Sequence, residues 1–258
     1  MNKIERQLII QSELSKQGYV LITSLGEKFQ CSEETIRRDL KEMEQAGKLT
    51  RIHGGAYLVD QFDTTYPADL RLMQFPELKK RLAAAAVRYV RDNDCIMLDS
   101  STTCLAIASE LMRSEKKVTI ITNSLLICNS INDSPAGNIN LISTGGELRR
   151  RTSSFTDYHT IDALCRYHAD SSFVSPPKVT MEFGLSDHHL SEARVRECMI
   201  RQAGTSYLVL DHTKFEPSAQ ICFEGLDRVA TIITDLPVSE EWERYAAAHG
   251  IGIVYCDE

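Results

Sequence analysis

The stretch "CSEETIRRDLKEMEQAGKLTRIHGGA" (31–56) decides how this chain is read. Ser32 has the chemistry of a helix N-cap, and Glu33 and Glu34 follow it in the first turn, where the helix dipole favours acids. Ile36, Leu40 and Met43 recur at i, i+4 and i+7 and make one buried face. Arg37, Arg38 and Lys41 fall between those positions and must face outward. Gly47 stops the helix. "KLTRI" and "AYLV" are short β-like runs joined across "HGG", a two-stranded wing that carries Lys48, Arg51 and His53. A short helix, a turn, a capped longer helix and a basic ribbon together predict a winged helix-turn-helix. In such a unit the N-terminal half of the longer helix enters the major groove of DNA. Arginine there takes guanine bidentately or clamps a phosphate, and the wing residues meet the backbone or the minor groove. The competing reading is a solvated face, with Arg37 paired to Glu33 or Glu34 and Lys41 to Glu44.

Upstream, Ile4, Leu8, Ile9 and Leu14 suggest an apolar stripe on a first helix that Gly18 ends. Thr23 is a candidate N-cap for a second, short helix with Leu25 and Phe29 inward. The whole chain is 258 residues with a formal net charge of -7. Residues 1–60 hold nine basic and nine acidic side chains, so the negative charge lies entirely in residues 61–258. A globally acidic protein is a poor non-specific polyanion binder, so nucleic-acid binding has to come from a local basic face. The longest apolar run, "AAAAV" (83–87), is far too short to span a bilayer. The N-terminus mixes charge into every turn, unlike a signal peptide. The eight cysteines are scattered without metal-ligand spacing. That pattern predicts reduced thiols in a cytoplasmic protein, with no metal and no cofactor.

Residues 61–76 lose the hydrophobic period and contain Pro67 and Pro76, which predicts a linker. From residue 77 to 258 apolar strands ("CIMLD", "VTIIT", "INLIST", "SSFVS", "SYLVLD", "VATIITD", "IGIVY") alternate with helical segments. That alternation predicts an α/β domain with a mostly parallel sheet covered on both faces. Ligands of such sheets bind at the carboxyl ends of the strands. Those ends read "DSSTT" (99–103), "TNS" (122–124), "TGGE" (144–147) and "DHTK" (211–214). Ser100, Ser101, Thr102 and Thr103 open a helix and can cradle an anion. Gly145 and Gly146 admit close backbone approach. Lys214 can neutralise a phosphate, and Asp99 and Asp211 can hold sugar hydroxyls. Together these clusters point to a small phosphorylated polyol or sugar.

The sequence resembles the DeoR family of bacterial transcription regulators over nearly its whole length. The resemblance is most specific in "TIRRDLKEMEQAGKLTRIHGGA" (35–56), and continues in "LDSSTT", "ITNS", "TGGELRR", "HADSSF", "DHTKF" and "ITD". It implies a winged helix-turn-helix domain over 1–60 and a sugar-phosphate sensor over 77–258, similar in fold to ribose-5-phosphate isomerase. It implies a dimer or tetramer that binds double-stranded operator DNA. Such a protein is typically the repressor of a carbohydrate catabolic operon, released by a phosphorylated sugar. DNA-reading roles then fall on Thr35, Arg37 and Arg38. Effector roles fall on Asp99, Ser101, Thr102, Thr103, Thr122, Asn123, Gly145, Gly146, Asp211 and Lys214, with Ser100, Ser124, Glu147 and Lys79 beside them. Ser101 stands where the family commonly has glycine.

Two other functions compete. One is a sugar-phosphate isomerase or deaminase-like enzyme carrying an accessory DNA-binding domain. It would need a carboxylate base beside the phosphate loop, for which Glu147, Asp157 and Glu192 are the candidates, with His188 and His189 nearby. The other is thiol-based sensing through one of the eight cysteines, among them Cys31 in the helix-helix turn and Cys104 beside the phosphate loop.

Overall fold

A computed structural model of the chain describes residues 1–52, 54–58 and 67–257. It divides into two compact units, Met1–Pro76 and Glu77–Glu258.

The first unit contains α1 (Lys3–Gln17), β1 (Tyr19–Leu21), α2 (Ile22–Phe29), α3 (Glu33–Gln45), β2 (Thr50–Ile52), β3 (Gly55–Tyr57) and α4 (Ala68–Leu72). Ser32 caps α3 as expected, accepting from the Thr35 N–H. The helix ends at Ala46 with Gly47 in the left-handed region. The Lys48 N–H reaches back to Met43 O and the Gly47 N–H to Glu44 O, which satisfies the last carbonyls. Ile36, Leu40 and Met43 are buried together with Ile10, Leu14, Val20, Ile22 and Leu25.

Three expectations change here. The buried stripe of α1 is Ile10 and Leu14, while Ile4 and Leu8 are exposed. Two apolar residues one turn apart mark a face without saying which face the rest of the unit covers. The second helix is capped by the backbone of Leu21 rather than by Thr23, because "YVL" extends as β1 and leads straight into the helix. The wing is therefore a three-stranded antiparallel sheet, in the order β1-β3-β2. Of residues 61–76, assigned from the sequence to a linker, residues 61–66 lie outside the described residues. Ala68–Leu72 forms α4, with Leu70 buried and Asp69 accepting from the Tyr19 hydroxyl.

Gly55 is where β1 and α4 meet. A Cβ there would fall inside contact with Val20 O and within 2.7 Å of Leu70 Cδ2. Backbone cannot yield as a flexible side chain can, so Gly55→Ala should destabilise this unit by roughly 1–3 kcal/mol. Hydrogen exchange across residues 19–21 and 55–57 should accelerate; unchanged protection would refute the packing argument.

The second unit begins with α5 (Pro76–Val87), β4 (Cys95–Leu98), α6 (Thr102–Arg113), β5 (Val118–Thr122), α7 (Leu125–Asn132) and β6 (Ile139–Ser143). The short hairpin strands β7 (Leu148–Arg149) and β8 (Ser154–Phe155), α8 (Tyr158–Leu164) and β9 (Ala169–Val174) follow. Then come β10 (Lys178–Thr180), β11 (Gly184–Asp187), α9 (Leu190–Arg201), β12 (Ala203–Val209) and β13 (Ile221–Glu224). The chain closes with β14 (Thr231–Thr234), α10 (Glu240–His249) and β15 (Gly252–Tyr255).

Seven strands form a parallel sheet in the order β15-β14-β12-β9-β4-β5-β6. Ile96, Leu98 and Ile120 pack under α5, α6 and α7. Their neighbours Met97 and Ile121 pack on the opposite face with residues of α8, α9 and α10. This alternation within continuous apolar runs is what a sheet buried on both faces requires. From β4 the chain moves out to β6, then returns to place β9 on the other side of β4. The carboxyl ends of β4 and β9 are therefore the topological switch point, where a doubly wound sheet opens a crevice. The expected α/β class with an N-terminal winged helix-turn-helix is the fold observed. The hairpin β7–β8, helix α8 and the antiparallel sheet β10-β11-β13 are additions to it.

Candidate functional sites: a recognition helix and the strand-end loops

On α3, Glu33, Glu34, Arg37, Arg38 and Lys41 are exposed and Thr35 is half-buried. Directly after the two arginines comes Asp39, which is buried and takes Arg6 of α1 through two hydrogen bonds, 2.7 Å from Nε and 3.3 Å from Nη2. That pair fixes the rotation of α3 against α1, so residues 37 and 38 are held outward from both sides. Arg37 is engaged within its own helix, 2.6 Å from Glu33 and 3.6 Å from Glu34. Arg51 lies 2.9 Å from Glu44, and its N–H donates to the same carboxylate. Among the described residues Arg38, Lys41 and Lys48 are exposed with no ion pair within 4 Å. The Lys3 hydrogen bond, more than the nearby charge of Arg38, holds Glu42 below the usual carboxylate range. Both the solvated-face and the DNA-facing readings thus have members: Arg37 and Arg51 are paired, while Arg38, Lys41 and Lys48 are available. His53 lies outside the described residues.

In the second unit, Ser101 caps α6, its hydroxyl accepting from the Cys104 N–H at 3.0 Å. The Ser101 N–H donates to Asp99 Oδ1 at 2.9 Å. Thr102 and Thr103 are the first two residues of α6, so their N–H groups have no partner within the helix. Asp99 does not offer an oxygen to a ligand in this arrangement. It is buried, and its Oδ2 accepts from the Ser175 N–H at 3.0 Å and Arg196 Nε at 2.7 Å. Its role is to join the loop after β4 to the loop after β9.

The Arg196 guanidinium, 4% exposed, also binds Asp187 and lies 3.8 Å from Glu192. Glu192, 2% exposed, accepts from the hydroxyls of Thr152 and Ser154 at 2.6 Å each and from Ser100 at 3.1 Å. Arg149 approaches it at 3.4 Å. Glu192 therefore ties the loop after β4 to the β7–β8 hairpin. None of Arg149, Thr152, Ser154, Ser175, Asp187 or Arg196 was singled out by sequence. Each looks like ordinary surface polarity until α9 carries Glu192 and Arg196, one turn apart, beneath the loops.

Burial opposes ionisation of Asp99 and Glu192, but the Arg196 charge and the donated hydrogen bonds outweigh it and hold both below the usual carboxylate range. A depressed folded-state pKa contributes stability that is complete above the unfolded value of about 4 and is lost as pH falls through the folded value. The urea midpoint of this unit should therefore decline as pH drops below about 4. It can be followed through Trp242, the chain's one tryptophan, which is buried in this unit. A midpoint that held or rose would contradict the account.

Beside this core, the Thr122 hydroxyl donates to Leu98 O at 2.7 Å and accepts from the Ser124 N–H at 3.1 Å. Ser124 caps α7. Asn123 donates to Phe155 O at 3.0 Å, while its buried Oδ1 has no partner among the described residues. Gly145 O accepts from the Thr160 hydroxyl at 2.8 Å. At Gly146, φ is +112° and a Cβ would collide with Thr160 Oγ1 and lie 2.5 Å from Asp157 Oδ1, so only glycine serves. Glu147 is exposed. Further along the sheet, Asp211 accepts from the Thr213 N–H at 3.0 Å and lies 3.9 Å from Lys214 Nζ. Lys79 is buried on α5. The structure brings Ser100–Thr103, Thr122–Ser124 and Gly145–Gly146 to one end of neighbouring strands. Asp211 and Lys214 lie at the same end of β12, two strands from β4.

Two of the three carboxylates considered as catalytic bases are otherwise occupied: Glu192 is held ionised by its donors, and Asp157 caps α8 through the Thr160 N–H at 2.9 Å; the third, Glu147, is exposed, its backbone carbonyl accepting from Thr156. Cys104 is buried, its Sγ–H donates to Phe173 O at 3.2 Å, and burial pushes its thiol well up. No helix among the described residues is long and apolar enough to cross a membrane.

The sequence model of the DeoR-like helix-turn-helix domain matches residues 6–62, and that of the DeoR C terminal sensor domain matches residues 74–236. The HTH-type transcriptional regulator IolR of Bacillus subtilis is 31% identical over 97% of this chain and 98% of its own. The Glycerol-3-phosphate regulon repressor of Escherichia coli is 27% identical over 99% of this chain and all of its own length. The L-fucose operon activator of Escherichia coli is 30% identical over 90% and 95%. Among solved structures, ribose 5-phosphate isomerase A of Methanocaldococcus jannaschii is similar over 55% of each chain, with a TM-score of 0.40 and 18% identity. The three sequence relatives carry the names of transcriptional regulators, and the isomerase shares only a distant likeness of fold. With its winged helix-turn-helix followed by the sensor domain, the chain belongs to the DeoR family of transcriptional regulators.

Proposed function

We propose that this regulator is a cytoplasmic repressor of a carbohydrate catabolic operon, released from its operator by a phosphorylated sugar held at the strand ends. The observation that carries the effector half is the start of α6 at the switch point. There the N–H groups of Thr102 and Thr103 emerge at the positive end of a helix, at the same end of the sheet as the Gly145–Gly146 turn two strands away. A phosphate seated there satisfies those donors. Lys214 and Lys79 supply charge, and the orphaned Asn123 Oδ1 takes a donor such as a sugar hydroxyl. Ser100–Thr103, Ser124, Glu147 and Asp211 line the same strand ends, with Asp99 holding the loops in place. The DNA half rests on Arg38, Lys41 and Lys48, with Ser32, Glu33, Glu34, Thr35, Arg37 and Arg51 around them; His53, assigned from the sequence, lies outside the described residues. Repression is supported by relatives such as the Glycerol-3-phosphate regulon repressor and the Putative aga operon transcriptional repressor of Escherichia coli O157:H7, against the L-fucose operon activator. A homodimer or homotetramer would read two half-sites about 34 Å apart or a multiple of that.

A gel-shift on the DNA upstream of the gene, repeated across a panel of sugar phosphates, tests the whole reading. The expected result is a retarded band that one phosphorylated sugar abolishes while its unphosphorylated form does not. A fragment that is never retarded, or sustained turnover of a pentose or hexose phosphate, would overturn it.

A further inference from the structure

Cys165 follows the last residue of α8, and Cys198 lies on α9. Their sulfurs are 3.6 Å apart, the one pair among the eight cysteines in such contact among the described residues. A disulfide needs about 2.05 Å, so closure asks for roughly 1.5 Å of sulfur movement. Cys165 is exposed and Cys198 is buried. We propose that Cys165 and Cys198 are a modification site: a reversible disulfide formed when the protein meets a hydroperoxide.

The asymmetry of the pair sets the order of events. Burial, with the neighbouring Cys165 sulfur adding to it, pushes the Cys198 thiol up to about 12, which keeps it protonated while Cys165 meets solvent. The Cys165 thiolate attacks the peroxide and breaks the O–O bond. This gives a sulfenic acid at Cys165 and, after proton uptake, an alcohol or water. Cys198 sulfur then attacks Cys165 sulfur and displaces hydroxide, which takes the Cys198 proton and leaves as water. Two thiols are oxidised by two electrons, and one hydroperoxide is reduced to alcohol and water. A dithiol reductant reverses the step by exchange.

The crosslink would join the two elements that hold the strand-end loops. At its start α8 holds the Gly145–Gly146 turn through Thr160, and α9 holds the loop after β4 through Glu192 and Arg196. Joining them fixes the two walls of the effector site against each other. This consequence rests on the proposed function, whereas the chemistry of the pair does not.

The test treats the full chain with hydrogen peroxide, alkylates the remaining thiols and maps unreduced peptides by mass spectrometry. The expected major oxidised product is the peptide pair carrying Cys165 and Cys198, lost on dithiothreitol treatment. In Cys198→Ser the sulfenic acid at Cys165 should persist and be captured by dimedone. Cys165 and Cys198 recovered alkylated while other thiols oxidise, or Cys165 joined to a different cysteine, would overturn the proposal. No DNA or effector enters this measurement, so its failure is distinct from failure of the operator-binding reading.

Discussion

Replacing Arg196 by alanine is expected to cost the sensor unit about 3–5 kcal/mol, enough to bring it near the limit of folding. The reason is what remains behind. Asp99, Asp187 and Glu192 all face this one guanidinium, and all three are buried. With the cation gone, they must either take up protons or stay charged in a low-dielectric interior. Deleting all four charges together could be neutral; deleting the cation alone cannot be. Arg149 does not occupy the same place: it meets Glu192 at Oε1, whereas Arg196 faces Oε2.

Arg196→Lys should recover part of the loss. An ammonium restores the charge but cannot place Nε on Asp99 and Nη1 on Asp187 in one fixed plane. The readout is urea unfolding followed through Trp242, which reports on this unit alone. An alanine variant whose midpoint falls by less than about 1 kcal/mol of equivalent stability would show that the three carboxylates are not charged as argued. It would also undercut the acid dependence, since both rest on the same ionised groups.

That network was invisible from sequence for a physical reason, whereas the strands around it were not. A parallel strand buried on both faces is a run such as "VTIIT", readable within five residues because its environment is uniform. The cap on α6 is equally local: Ser101 and the N–H it receives are three residues apart. Arg196 and Asp99, by contrast, are separated by 97 residues and meet only after β9 has been inserted beside β4. Asp39 failed in the same way. Its helix position is inward, but an acid among Arg37, Arg38 and Lys41 reads as part of a solvated face. Its partner Arg6 lies 33 residues upstream. The strand β1 was missed because three residues give too short a pattern to read, and its pairing with β3 is made across the unit. Local chemistry thus located the strand ends and the capped helix α3. The side chains that lock them in place had to come from the fold.

Removing both Arg37 and Arg38 should weaken specific operator binding by roughly 30-fold or more, since each base-reading arginine contributes about 1–3 kcal/mol. The two should not contribute equally. Arg37 already holds Glu33 at 2.6 Å, so a groove contact has to compete with that pair, whereas Arg38 has no ion pair within 4 Å among the described residues. Arg38→Ala should therefore carry the larger share and relax base preference at one operator position. Lys48→Ala should behave differently: an ammonium on the wing that meets a phosphate weakens all sequences alike. It lowers the slope of log affinity against log salt by about 0.9. Measuring each variant on operator and on unrelated DNA across a salt series separates base reading from charge. The Asp39–Arg6 pair supplies the control, because Asp39→Asn frees the rotation of α3 without touching an exposed cation. If that variant loses specificity while keeping its salt slope, orientation of the helix is what the buried pair provides. If the double arginine variant holds operator and unrelated DNA as the unsubstituted protein does, the outward face of α3 is only a solvated one, and the DNA contact must be sought elsewhere in the unit.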